Sequence, residues 1–136
     1  MSAKVFLDTN GVAYAFDATA PAKRQRAREI MDGYPWRVSW QVVQELANLA
    51  LHRFAVPMKP ADLADTLDLV PWPRCSVLPS LNLYRMAVAL HTQAQYRYYE
   101  CLIVAAALAS DAAVLSSENL QHGRTIGSRR IENPFS

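Results

Sequence analysis

From Cys101 to Ala109 the chain reads Cys-Leu-Ile-Val-Ala-Ala-Ala-Leu-Ala, nine residues without a charge. A helix over 101–110 is apolar on every side and has no face to give to water, so it must be packed all round. The run is far shorter than the ~20 apolar residues that cross a bilayer. The expectation is therefore a central helix of a layered domain, with no membrane association. Everything else in the chain has to supply the layers around it.

Those layers are legible as alternation. Val5-Phe6-Leu7 is a short apolar run stopped by Asp8-Thr9-Asn10-Gly11, which predicts a buried strand entering a turn. A short helix is expected over 12–16. Pro21 opens a second helix, 21–32, rich in Lys23, Arg24, Arg26 and Arg28 and ended by Gly33. Trp36 to Ser39 reads as a strand, with Ser39 as N-cap of a helix over 40–54 whose Val43, Leu46, Ala47, Ala50 and Phe54 recur at helical spacing. Pro60 opens a helix reaching Leu69, and Pro71 and Pro73 stop it. Cys75 to Leu78 reads as a third strand. Leu81 to Gln95 is amphipathic, with Leu83, Met86, Ala87 and Leu90 inward. Ala113-Val114-Leu115 is a fourth strand, and Ile131 belongs to a last edge strand. Strands alternating with helices imply an α/β layered fold with a mainly parallel sheet of four to five short strands.

With 136 residues and no repeat, linker or low-complexity stretch, the expectation is one domain over 1–136. Hydrophobic residues make up 51%, enough to fill a core. The charged fraction of 19% falls below the ~25% usual in soluble domains, which fits a wholly buried helix and a partner surface. A net charge of +2 permits nucleic-acid binding without selecting it. Cys75 and Cys101 make neither a disulfide framework nor a thiolate zinc site. Free thiols and no basic, apolar leader at the start predict a cytoplasmic protein.

In open parallel sheets ligands bind beyond the carboxyl ends of the strands. Asp8 stands at one such end, and Glu118 and Asn119 at another. Read locally, Asp8 is either a turn or helix-capping residue or a member of a site. Glu45 flanks the apolar stripe of its helix, beside Gln41, Asn48 and Leu49, where a solvated side chain is the ordinary outcome. Glu100 heads the all-apolar helix, where the helix dipole favours a carboxylate. If Asp8, Glu45 and Glu100 meet in one cleft, their mutual repulsion calls for a cation. Oxygen donors without thiolate or imidazole favour Mg²⁺ or Mn²⁺. The chemistry that matches is metal-assisted hydrolysis of a phosphodiester.

Three segments carry a resemblance. They are Val5-Phe6-Leu7-Asp8-Thr9-Asn10, then Val42-Val43-Gln44-Glu45-Leu46, then Tyr99-Glu100-Cys101-Leu102-Ile103-Val104 continuing through Leu115-Ser116-Ser117-Glu118-Asn119-Leu120-Gln121-His122-Gly123. In order and spacing they resemble the PIN-domain family, of the kind that includes VapC-like toxins of bacterial toxin–antitoxin pairs. The resemblance implies a three-layer Rossmann-like fold, a homodimer, Mg²⁺- or Mn²⁺-dependent cleavage of RNA, and a cognate antitoxin. It implies catalytic roles for Asp8, Glu45, Glu100 and Asn119, with Asp8, Glu100 and Asn119 as metal ligands. Thr9, Asn10, Ser117 and Glu118 are supporting residues, although Thr9 and Asn10 serve equally as plain turn residues.

Two positions depart from the family pattern. Glu100 stands where Asp is usual, and Asn119 stands where Asp is frequent, in a Ser/Thr-x-Asp pattern begun by Ser117. Asn119 keeps an oxygen but removes a charge, and Glu118 beside it is badly placed to compensate. A catalytically weak or inactive PIN-like module that binds RNA or protein is the alternative. A phosphatase or receiver domain using Asp8 fits less well, because position 10 is Asn and no early acidic doublet is present. His122 reads as a surface residue, His52 and His91 as structural. The basic run at 23–28, Arg129 and Arg130 would serve as an RNA-tracking face, a partner surface or a solvated one. Tyr96, Tyr98 and Tyr99 are expected to pack in the core or in a dimer contact rather than stack on bases.

Overall fold

The computed structural model describes residues 3–120, 122–127 and 129–135. Among them the elements run β1 (Val5–Leu7), α1 (Thr9–Ala13), α2 (Pro21–Gly33), β2 (Trp36–Ser39), α3 (Trp40–His52), α4 (Pro60–Leu69), β3 (Cys75–Val77), α5 (Leu81–Ala94), α6 (Tyr98–Ala109), β4 (Val114–Ser116), β5 (Thr125–Ile126) and β6 (Arg129–Glu132). The strands form one sheet in the order β3-β2-β1-β4-β6-β5. All neighbours pair in parallel except β5, which runs antiparallel to β6.

The sheet sits inside helices on both faces. Val5, Phe6 and Leu7 are successive residues, so their side chains alternate between faces, yet all three are buried. The three-layer α/β arrangement follows from that. Helix α6 takes the central place its sequence demands: Cys101 to Ala107 are all buried, under α5 and against β2 and β4.

The strand order reverses between β1 and β4. The chain steps from β1 outward through β2 and β3, then returns to the other side of β1. Such a reversal leaves a crevice at the carboxyl ends of the two central strands, because their outgoing loops diverge. Asp8 follows β1 directly, and Ser117 to Asn119 follow β4 directly. The Asp8 amide donates to the Ser116 carbonyl at 3.3 Å, tying the two strand ends together.

Six expectations need correction. The described sheet has six strands rather than four to five, because β5 is two residues long and too short to show a period. Ile131 is not on an edge: it is 1% exposed in β6, between β4 and β5. Gly127 permits the extra hairpin, with φ of +59° and a Cβ position only 3.1 Å from Leu108 Cδ2. Met86 is not inward but 37% exposed, since the buried stripe of α5 is Leu83, Ala87 and Leu90 and position 86 lies on its flank. Helix α6 starts at Tyr98 rather than 101, so Glu100 is in its first turn. The helix expected over 12–16 forms earlier, as α1, and continues into a 3₁₀ turn at Tyr14–Phe16. Ser39 holds the N-cap position of α3, but its hydroxyl makes no capping bond.

Candidate functional site

Asp8 is a cap and a cavity residue at once. Its Oδ1 accepts a hydrogen bond from the Gly11 amide at 3.0 Å, starting α1. Gly11 matters here because a Cβ would stand 3.3 Å from that oxygen. The carboxylate is only 6% exposed. Burial pushes its pKa up to about 6; the Ser117 hydroxyl and the Gly11 amide pull it down, and the charges of Glu118 and Glu45 push it further up. A carboxylate with an affinity for protons this high carries negative charge that the protein does not neutralise.

The other expected residues come from three directions. Glu45 lies in the second turn of α3, and its Oε1 accepts from the Thr9 hydroxyl at 3.1 Å. Glu100 lies at the third position of α6, and its Oε1 accepts from the Arg97 amide at 3.3 Å. Ser117, fully buried, receives the amides of Asn119 and Leu120 on its Oγ, both at 3.3 Å, and so shapes the turn that carries Asn119. One cavity of about 490 Å³ is lined by all of these side chains: Asp8, Glu45, Glu100 and Asn119, with Thr9, Asn10 and Ser117 between them.

Glu118 does not line it. Its Oε1 binds Lys23 Nζ at 2.8 Å, and Lys23 also reaches the Tyr14 hydroxyl at 3.2 Å. Burial alone would raise the Glu118 pKa, but the bonds from Lys23 and Tyr14 outweigh it and hold the carboxyl below its ordinary value. Adjacent residues of the turn thus point to opposite sides. Two more residues of the basic run are engaged within the chain, Arg28 on the Ala15 carbonyl at 2.9 Å and Arg26 on the Pro134 carbonyl at 3.2 Å. His122 accepts from the Asn133 amide and stands off the cavity wall.

Gln41, Asn48 and Leu49, expected beside Glu45, do line the cavity, and Gln44, which was not expected, joins them. Gln41, Gln44 and Asn48 project from the same side of α3 as Glu45, at helical spacing. Gln41 is 3% exposed and its Nε2 donates to the Tyr99 carbonyl at 3.1 Å, fastening α3 to the start of α6. The signal was present in the spacing of 41, 45 and 48, but an amide beside a Glu carries no motif of its own.

A hard divalent cation fits the donor chemistry. The described lining offers three carboxylates and the carboxamide oxygen of Asn119, with no Lys, Arg or His among the lining side chains. Among the described residues no three of His, Cys, Asp or Glu stand close enough to hold an ion as placed. As placed, Glu45 is held by the Thr9 hydroxyl and Glu100 by the Arg97 amide. Both bonds join single donors to flexible side chains, and an ion would compete for the same oxygens.

Comparison with known proteins gives a consistent result. A model of the PIN domain family matches residues 5–125. VapBC2 from Rickettsia felis, solved bound to a DNA fragment from its promoter, is similar over 96% of this chain and 98% of its own, with TM-score 0.64 and 19% identity. FitAB, solved bound to an IR36 DNA fragment, is similar over 97% and 96%, with TM-score 0.69 and 16% identity. FitAcB from Neisseria gonorrhoeae is similar over 96% and 98%, with TM-score 0.64 and 18% identity. No curated protein sequence matches the chain.

Proposed function

Because this chain belongs to the PIN-domain family, we propose that it is an Mg²⁺- or Mn²⁺-dependent endoribonuclease, the toxin of a toxin–antitoxin pair. The observation that carries this reading is the convergence of Asp8 and Asn119, from adjacent parallel strand ends, with Glu45 and Glu100, from two helices, on one cavity. In this reading Asp8, Glu100 and Asn119 hold the ion. When bound, such an ion would supply an activated water and stabilise the charge that develops on the phosphate. Asp8 contributes a carboxylate already short of positive charge. Glu45, steadied through Oε1 by Thr9, uses Oε2 to take the proton of the attacking water. Ser117 fixes the turn that presents Asn119. The FitAB and VapBC2 structures, both solved on DNA, support an antitoxin partner for this chain. A homodimer working on cytoplasmic RNA completes the proposal. No helix among the described residues is long and apolar enough to cross a membrane.

Degradation of defined RNAs with Mg²⁺ or Mn²⁺ tests it. Wild type is expected to cut and Asp8→Ala to lose cutting; equal cutting by both removes the site assignment. A second reading, a PIN-like module that binds RNA or protein without cutting, is favoured by the bond between Glu100 and Arg97 and by the neutral Asn119. Wild type that binds RNA but does not cut it with either ion selects that reading.

A further inference from the structure

The cavity has one wall that metal chemistry does not use. Beside Glu45, α3 presents the exposed amides of Gln44 and Asn48. Tyr99, 71% exposed, lines the same cavity from the start of α6. The three clustered tyrosines separate here. Tyr98 is half-buried against the core, and Tyr96 lies under Arg124, with its ring 5.1 Å from the guanidinium carbon. Tyr99 alone of the three lines the cavity. Its ring is braced edge-on by Tyr98, with centroids 5.9 Å apart, and its backbone is pinned through the Gln41 amide. Of the described buried polar atoms without a partner, Gln41 Oε1 is the one that belongs to a cavity-lining residue, and an unsatisfied acceptor favours an incoming N–H.

Away from an ion at the carboxylates, the lining of the described cavity has no cation to receive a phosphate, and its acids repel one. A pre-positioned aromatic ring sharing a cavity with neutral amides suits a flat, uncharged group with donors and acceptors on its edge. Amide side chains pair with base edges, and tyrosine rings stack on unpaired bases. We propose that Tyr99, Gln44 and Asn48 form a slot for one unpaired nucleobase of single-stranded RNA, next to the carboxylates. This deepens the ribonuclease reading and rests on it for the place of the cut. Glu45 lies between Gln44 and Asn48 on the helix, so the seated base is that of a nucleotide beside the scissile phosphate. The slot selects unstacked RNA over duplex and sets the base preference at the cut.

The test is fluorescence anisotropy of labelled RNA hexamers with the full chain in EDTA, where metal-dependent cutting is absent. The probes are four homohexamers, a hexamer with one internal abasic site, and a duplex. Wild type is expected to bind hexamers more tightly than abasic or duplex RNA. Tyr99→Ala should weaken hexamer binding roughly 10-fold, the scale of one base–aromatic stack, and leave abasic binding unchanged. Tyr99→Phe should restore it, while Gln44→Ala and Asn48→Ala should reorder the four homohexamers. These side chains are exposed, so folding is not at stake. Equal binding of intact and abasic RNA, absence of RNA binding, or an unchanged Tyr99→Ala overturns the slot. Cleavage with Mn²⁺ is measured in parallel. Asp8-dependent cutting without base discrimination overturns the slot alone. Base discrimination without cutting overturns the hydrolytic reading alone.

Discussion

Replacing Asp8 by Asn should stabilise the metal-free protein, although Asp8 is the central residue of the proposed site. Asp8 binds its proton more tightly in the folded chain, with a pKa of about 6 against 3.8 for the free group. The stability gained from that proton is complete below pH 3.8 and is lost as the pH rises through about 6. At ~1.4 kcal/mol per pKa unit, the ionised carboxylate costs about 3 kcal/mol at pH 7.5. Asn has the same shape and no charge. Its Oδ1 still accepts from the Gly11 amide, and Asn caps helices as well as Asp does. Asp8→Asn should therefore raise stability at pH 7.5 by ~2–3 kcal/mol, or roughly 5–10 °C in Tm for a domain of this size. The difference should shrink to nothing near pH 3.8. Urea unfolding at several pH values in EDTA measures it. With Mg²⁺ at saturating concentration wild type should recover stability, because an ion that binds only the folded state stabilises it, while Asp8→Asn should gain little. A variant no more stable than wild type at pH 7.5, or a difference independent of pH, would refute the burial argument.

Other outcomes follow from the same geometry. Glu118→Gln removes a like charge that pushes Asp8 upward, so the Asp8 carboxyl resonance should titrate at lower pH in the variant. Asn119→Asp adds a fourth negative charge to the cavity; it should tighten Mn²⁺ binding by roughly 10-fold, the worth of ~1.4 kcal/mol, and lower the stability of the metal-free form. Glu100→Asp shortens the arm that reaches the Arg97 amide; a small loss of helix stability, at most ~1 kcal/mol, should accompany increased cleavage of RNA. Ile131→Ala should cost about 2–5 kcal/mol by chemical denaturation, as for a fully buried isoleucine; a loss below 1 kcal/mol would suit the edge position expected from sequence and contradict β6 as an inner strand.

Much of the fold was legible because it rests on burial. The apolar run 101–109 required a central helix, and α6 provides it. Val5-Phe6-Leu7 required cover on both faces, and its place in the middle of a parallel sheet provides that. What escaped reading was decided by contacts between distant segments. The hairpin of β5 with β6 depends on one left-handed glycine and a two-residue strand, too little for any period to register. The exposure of Met86 depends on which flank of α5 meets α6. The site divides the same way. Asp8 and Asn119 were placed by a topological rule about strand ends, and both line the cavity. Locally Asp8 was either a cap or a site residue, and the structure makes it a cap that also lines the cavity. The direction of Glu118 was set by Lys23, nearly a hundred residues away, through a bond no local pattern encodes. Gln41 and Asn48 were placed beside Glu45 by helical spacing, but their part in a cavity wall with Gln44 and Tyr99 was not, because amides on a helix flank carry no motif.

In the proposed site Asp8 and its neighbours gather around a divalent ion. Isothermal titration of the metal-free protein with Mn²⁺ at about pH 5.5, where Asp8 with its pKa of about 6 is largely protonated, is the test. Wild type should bind with release of protons, reporting displacement of the proton from Asp8, and Asp8→Ala should lose both the binding and the proton release. Absence of binding by wild type, or undiminished binding by Asp8→Ala, would contradict the account.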